Sequence, residues 1–345
     1  MTYFLRLVIA ITVIGFSSVP AGMAKSSASY KVLMTKTVGG EGGFDYVYAD
    51  ADARRLYVPR SGPAGAVSVF DLDTLASAGS IPKTNAHGVV VDAKTQHGFA
   101  SSKPVAMWDS TSLAFVKTID IGGGPDGIAL DSFSDRVYIM SHSAPNATVI
   151  DAKDGSVAGT IDLGGAPEEA VSDGRGHLYV NIEDKANIAV VDTKTLTVTA
   201  HYDLAGKGGT CAGLALDRKN GILFTACRNP QAMVVLNASD GRILAALPIG
   251  SGNDAAEFNP NTMEAFSSQA DGTLAIVKED SPTAFSLEQT VRTKAGAKTL
   301  TIDTKTNHIL LITADFTPPP APAPGERPGR PQMVPGSFSI LVVGK

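Results

Sequence analysis

Seven copies of one pattern, a period near 42 residues and a glycine-rich, helix-poor composition predict an all-β fold, a seven-bladed β-propeller. The copies are YVYADADARRLYVPR, VVVDAKTQHGFASS, GIALDSFSDRVYIMS, AVSDGRGHLYVNI, GLALDRKNGILFTAC, AEFNPNTMEAFSS and LTIDTKTNHILLIT, each an apolar run, a polar turn and a second apolar run. Their turn-initiating residues are Asp50, Asp92, Asp131, Asp173, Asp217, Asn259 and Asp303, spaced by 42, 39, 42, 44, 42 and 44 residues. Between the copies lie further strand pairs, AVSVFDLDTLASAGSI, ATVIDAKDGSVAGTI, NIAVVDTKTLTVTAHYDL and AMVVLNASDGRILAALPI, joined at turns containing Asp. Each unit therefore supplies about four strands, the content of one blade. The inner strands read as continuous apolar runs because a blade is covered on both faces by its neighbours.

The chain begins with MTYFLRLVIAITVIGFSSVPAGMA, which has one early cation, Arg6, an apolar stretch from Leu7 to Phe16, and small residues at Gly22 and Ala24. This is the pattern of a secretory signal peptide over residues 1–24, so the expected protein is periplasmic or secreted, with its single propeller over residues 25–345. The apolar stretch is short for a membrane span and none of about 18 residues follows, so no span is expected. Next comes YKVLMTKTV, residues 30–38, which has the look of a fourth strand but precedes the first copy. The last copy is followed by a single strand, SFSILVVGK, and so lacks its fourth. The two fragments complete one blade if the N-terminal strand pairs with the C-terminal one, leaving no free edge and predicting a monomer.

The only two cysteines, Cys211 and Cys227, bracket the fifth copy. If Leu216 faces Ile222 across its turn, Cys211 faces Cys227, and in an exported chain an even pair so placed predicts a disulfide. Within the seventh unit, TPPPAPAPGERPGRPQMVPG (residues 317–336) holds eight prolines in twenty residues and reads as an extended polyproline-like or mobile insertion between the second and third strands. It carries Arg327 and Arg330 to the face where the loops enter the inner strands.

GIALDSFSDRVYIMS and HLYVNIEDKANIAVVDTKTL resemble the YVTN or YncE-like repeats of periplasmic seven-bladed propellers, and the resemblance covers essentially the whole chain after the signal. It implies a propeller in the periplasm. It does not imply one chemistry, since such repeats serve binding proteins and lactonase-like enzymes alike.

A site is expected where the inner strands begin. Five residues before each turn residue, seven side chains project toward a common axis: Asp45, His87, Asp126, Glu168, Ala212, Asp254 and Lys298. Glu169, Thr210, Cys211 and Asn253 lie next to them, and the loops leaving the second strands add Arg60, Lys103, His142, Asn181, Glu183, Arg228, Gln269 and Asp315. Carboxylates gathered this closely call for a bound metal, pairing to Lys298 and the arginines, or a water-filled funnel. A metal would be held by Asp45, His87, Asp126, Glu168 and Asp254, an oxygen-rich set that suits Ca²⁺, Mg²⁺ or Mn²⁺. For a small-molecule or protein ligand, the expected contacts are these same five with Lys298, Arg60, His142 and Arg228.

Other chemistries find no support. The net charge of −5 with scattered Lys and Arg gives no basic stripe for nucleic acid. Walker, nucleophile-elbow, H-E-x-x-H and haem-attachment motifs are missing, and DADAR and DAKDG lack the later Glu of a calcium loop and read as turns. A ligand-binding propeller is the first expectation. A metal-assisted lactone hydrolase or lyase using His87, or a subunit of a redox assembly, are the alternatives.

Overall fold

The computed structural model describes residues 1–2, 28–63, 65–318 and 331–345. Among these, seven four-stranded antiparallel sheets follow one another along the chain, each meandering from an inner strand outward. Blade 5 is typical, with strands Cys211–Asp217, Ile222–Arg228, Gln231–Asn237 and Ile243–Pro248. The seventh sheet is built from both ends of the chain: Lys31–Thr37 pairs antiparallel with Ser339–Gly344 outside His308–Thr313 and Thr299–Asp303. The expected closure is therefore the observed one. No described helix is long and apolar enough to cross a membrane, and the expected signal peptide lies, but for its first two residues, outside the described residues.

The turn residues are where their chemistry requires them. Asp50 ends its strand and its carboxylate accepts the N–H groups of Asp52 and Ala53 at 3.1 and 2.9 Å, while Asp217 accepts those of Lys219 and Asn220 at 2.8 and 3.2 Å. These are Asx turns, which tighten the hairpin with a side-chain acceptor. Asp151 in DAKDG does the same for Lys153.

The core is not one mass but seven apolar clusters, one for each interface between neighbouring blades. Phe266, Leu274 and Ile276 of blade 6 meet Leu300, Ile309 and Leu311 of blade 7, for example, and Tyr57, Val67 and Val69 of blade 1 meet Val91, Ala100 and Trp108 of blade 2. At about 1.5–3 kcal/mol for each fully buried large apolar side chain, every interface carries a substantial share of the stability.

Two polar clamps hold the seam around blade 7. The Glu264 carboxylate of blade 6, 1% exposed, takes the Lys345 ammonium at 2.8 Å and a short hydrogen bond from the Tyr30 hydroxyl. Gln289 meanwhile accepts from the Tyr30 N–H and donates to its carbonyl at 2.9 and 2.7 Å. On the other side, the Arg54 guanidinium of blade 1 reaches both oxygens of Asp303 in blade 7 at 2.7 Å and also pairs with Asp73.

The disulfide between Cys211 and Cys227 is formed, by a route that differs from the simple hairpin reading. Leu216 faces Leu223 rather than Ile222, a slip of one residue, and a β-bulge at Ala212 restores the register so that Cys211 still faces Cys227. At the Pro-rich insertion, Phe316–Thr317 and Gln332–Met333 form a short two-stranded ribbon, and the segment between, with Arg327 and Arg330, lies outside the described residues.

Two outcomes follow. Removal of residues 29–38 should replace the single cooperative transition in scanning calorimetry by a broad or absent one, because blade 7 loses its outer strand and Glu264 loses a partner; an unchanged transition would contradict the closure. The second concerns acid. Arg54 and Thr306 outweigh the burial of Asp303 and hold its carboxyl at about 2. A depressed carboxylate stabilises the fold above its unfolded value near 3.9 and loses that contribution as pH falls through the folded one. Asp303→Asn should therefore lack about 2 kcal/mol at neutral pH and show a shallower loss of stability between roughly pH 4 and 2, measured by urea denaturation.

Candidate functional site

The axial side chains are aimed by an irregularity that recurs from blade to blade. In blades 3 to 6 the inner strand carries one extra residue against its partner, at Asp126–Gly127, Glu168–Glu169, Ala212 and Asp254. A bulge of this kind breaks the in-and-out alternation and re-aims a side chain. Small residues follow for a packing reason. A Cβ on Gly127 would lie 2.9 Å from the Glu168 carbonyl oxygen, and one on Gly213 would lie 2.4 Å from the Ala255 carbonyl carbon, because neighbouring inner strands converge there. In blades 1, 2 and 7 the corresponding Asp45, His87 and Lys298 stand in the loops just before the strands begin.

The side chains so gathered form a chain of charges around the mouth. Lys298 pairs with Asp45 at 3.5 Å, Asp45 with the His87 Nδ1 at 2.9 Å, and the same nitrogen lies 3.3 Å from Asp126 Oδ1. Asp126 Oδ2 lies 3.6 Å from the His142 Nε2, which is 3.5 Å from Glu168 Oε1. Glu183 stands beside Glu168 and pairs with Arg228 at 2.7 Å. Asp254 closes the circuit, with one oxygen on Arg228 and the other on Lys298.

The electrostatics follow from that order. His87 and Lys298 outweigh burial at Asp45 and hold its carboxyl below the usual range. Burial pushes Asp126 up, with Asp45 and Asp254 adding to it against the two imidazoles. Glu168 is also pushed up, first by burial and then by Asp126 and Glu183, despite His142. His87 is raised by its bond to Asp45, and His142 is raised to about 9 by Glu168, with Asp126 and Glu183 contributing. With their rings 46% and 45% exposed, the two imidazoles are the groups in the circuit most open to solvent.

Several expected residues are placed elsewhere. Asp254 does not join the other four in a ligand set, because its two oxygens are each taken by a cation, so the expected five-residue metal site is replaced by groups around Asp126 that include His142. Arg60 is only 4% exposed and lies with its guanidinium carbon 3.9 Å over the Phe338 ring, donating to the Gly42 carbonyl; burial alone pushes it down to about 10. It packs the seam between blades 7 and 1 and does not line the mouth. Asn181 is buried and donates to the carbonyls of Ala212 and Gly213. Asp315 pairs with Lys294 at the base of the Pro-rich ribbon. His97 and His177 lie on hairpins at the opposite face, as expected.

Below the mouth, a cavity of about 600 Å³ follows the axis toward the opposite face, between walls that include Ile128, Leu130, Val171, Leu216 and Phe258. Its polar groups were not foreseen as a set. Glu169 accepts the N–H groups of Leu214 and Ala256 at 2.6 and 3.1 Å, tying the inner edges of blades 5 and 6, and burial with the nearby Glu257 charge pushes it well up. Burial pushes Glu257 up to about 7 against a weaker pull from Arg218. The signal was present in AEFNP, an acid within an inner strand where the other copies carry Tyr48, Val90, Ala129, Val171, Ala215 and Thr301.

The architecture has close counterparts among solved structures. A structure described as "Structure of U3-55K" superposes with a TM-score of 0.71 at 11% identity, covering 90% of this chain and 98% of that one. "Crystal structure of RRP9 WD40 repeats" does so with a TM-score of 0.70 at 12% identity, covering 92% and 98%. The fold is a seven-bladed β-propeller. At such identities the likeness speaks for architecture alone. No protein-family model and no curated protein sequence matches the chain.

The propeller's charged mouth makes a spectroscopic prediction. In protein freed of metal by a chelator, the His142 ring protons should titrate near 9 by NMR, and Glu168→Gln should lower that midpoint by about one pH unit or more. A midpoint near 6.5 in the unsubstituted protein would contradict the described contact.

Proposed function

We propose that this propeller is a secreted or periplasmic binding protein of YncE-like type, monomeric and non-catalytic, whose ligand docks at the channel mouth. One observation carries the reading: titratable side chains from all seven blades are brought to the axis, outside the apolar clusters that join the blades. Partly burying so many charges costs desolvation free energy that apolar residues would avoid, which is the arrangement of a prepared polar surface. Both signs are presented, and the imidazoles and Lys298 stay accessible, so the fitting ligand is a small polar molecule with acceptors and donors, or a protein loop bearing them.

A hydrolase or lyase is less well supported. Among the described residues neither His87 nor His142 hydrogen-bonds a hydroxyl or thiol, and both turn a ring nitrogen to carboxylates instead.

A thermal-shift screen of carboxylic acids, amines, sugars and short peptides, performed without added metal, tests the reading. Asp126→Ala and Glu168→Ala should each weaken the best hit at least tenfold in calorimetric titration while the melting temperature of the free protein changes little. Unchanged binding in both variants would move the binding surface away from the mouth.

A further inference from the structure

We propose that the mouth holds a pair of divalent metal ions bridged by Asp126, one bound by Asp45 and His87 and the other by His142 and Glu168. This rests on the reading of the mouth as the binding face and adds what it binds first. The two groups, Asp45–His87–Asp126 and Asp126–His142–Glu168, each bring three ligand atoms within 4.8 Å of one another and share a single carboxylate. That carboxylate is oriented for both. Its Oδ1 faces the His87 Nδ1 at 3.3 Å and its Oδ2 faces the His142 Nε2 at 3.6 Å, so each oxygen belongs to one group, the arrangement of a bridging ligand.

Around His142 the separations favour a metal over hydrogen bonds. The His142 Nε2 lies 3.6 and 3.5 Å from its two carboxylate oxygens, at or beyond the limit of a useful hydrogen bond. Ligand atoms held about 2.1 Å from a tetrahedral ion stand about 3.4 Å apart, and around an octahedral ion about 3.0 Å. The observed set of 2.9, 3.3, 3.5 and 3.6 Å spans those edges. Charge points the same way. Asp45, Asp126 and Glu168 face one another across the imidazoles, whereas Arg228 spends its contacts on Asp254 and Glu183, and Lys298 makes its shorter contact with Asp254 and touches only Asp45 of the three, at 3.5 Å. Two dications would satisfy the three carboxylates, and the half-exposed imidazole edges leave outer coordination positions open to the mouth.

One imidazole with two carboxylates per ion favours borderline Zn²⁺, and accommodates Mn²⁺, over Ca²⁺, whose sites are built from oxygen. Each ion keeps positions for water or for an anionic group of the docked ligand.

Untagged protein made from the full-length sequence, freed of metal by chelation, should bind two Zn²⁺ per chain in calorimetric titration. The doubly loaded Mn²⁺ form should give the electron paramagnetic resonance signal of an exchange-coupled pair. His87→Gln and His142→Gln should each leave one ion and abolish the coupling, Asp126→Asn should weaken both ions at least tenfold, and Asp254→Asn should retain both. Circular dichroism and melting of the metal-free variants confirm that each is folded, and the two histidine variants decide the matter should Asp126→Asn not be. Binding of a single ion, two uncoupled ions, or two ions indifferent to His142→Gln overturns the pair. If no metal binds while a metal-free ligand still loses affinity in Asp126→Ala, the pair falls and the binding face stands.

Discussion

Ring closure is the constraint on which everything else in this structure depends. A blade is a twisted sheet with two apolar faces, and only its neighbours can cover them, so seven interfaces must all be made or none is complete. Each has its own cluster of buried side chains, and the one between blades 6 and 7 takes Tyr30 from before the first strand together with Leu341 and Val343 near the other end. Glu264 is the polar counterpart: Lys345 and Tyr30 hydrogen-bond to it and, with the nearby Thr262, outweigh its burial and hold its carboxyl below the usual range. The seam on the other side of blade 7, with blade 1, explains Arg60, whose guanidinium stacks on Phe338 instead of standing in the mouth.

Closure also creates the site. Seven inner strands directed at one axis bring side chains from residues more than two hundred positions apart within hydrogen-bonding reach, as Asp45 and Lys298 illustrate. The inner-strand bulges at Asp126, Glu168 and Asp254 convert what would be alternating strand positions into inward-directed ones. At about 4 Å and an effective dielectric near 20, two unit charges interact by about 4 kcal/mol, so neighbours and not intrinsic acidity decide which groups are ionised. Asp45, beside His87 and Lys298, is accordingly pulled down despite its burial, while burial first and then the neighbouring carboxylates push Asp126 and Glu168 up.

The axial cavity is electrostatically distinct from the mouth above it. Glu169 answers two backbone N–H groups that the inner edges leave without strand partners, a structural use of a buried carboxylate. Glu257 is answered only weakly, by Arg218, and burial leaves it titrating near neutrality at about 7. The mouth is charged, the cavity below has apolar walls interrupted by Glu169 and Glu257, and Tyr46 lies beside both.

The amino-acid sequence by itself determined the architecture, because repeats, turn residues and apolar runs are local properties that survive without knowledge of any contact. The seven copies, the N-terminal strand that completes blade 7 and the pairing of Cys211 with Cys227 were all legible in that way. So was the list of residues near the mouth, since a fixed offset from each turn residue defines them. What the list could not contain was orientation. Asp254 and Asp126 occupy equivalent offsets, yet one is consumed by Arg228 and Lys298 and the other is shared between two imidazoles. His142 and Arg60 leave equivalent second strands, yet one joins the ring and the other turns under Phe338. Equivalent positions diverge because a side chain's partner belongs to another blade, and only the closed ring sets which blades, bulges and charges meet across the axis.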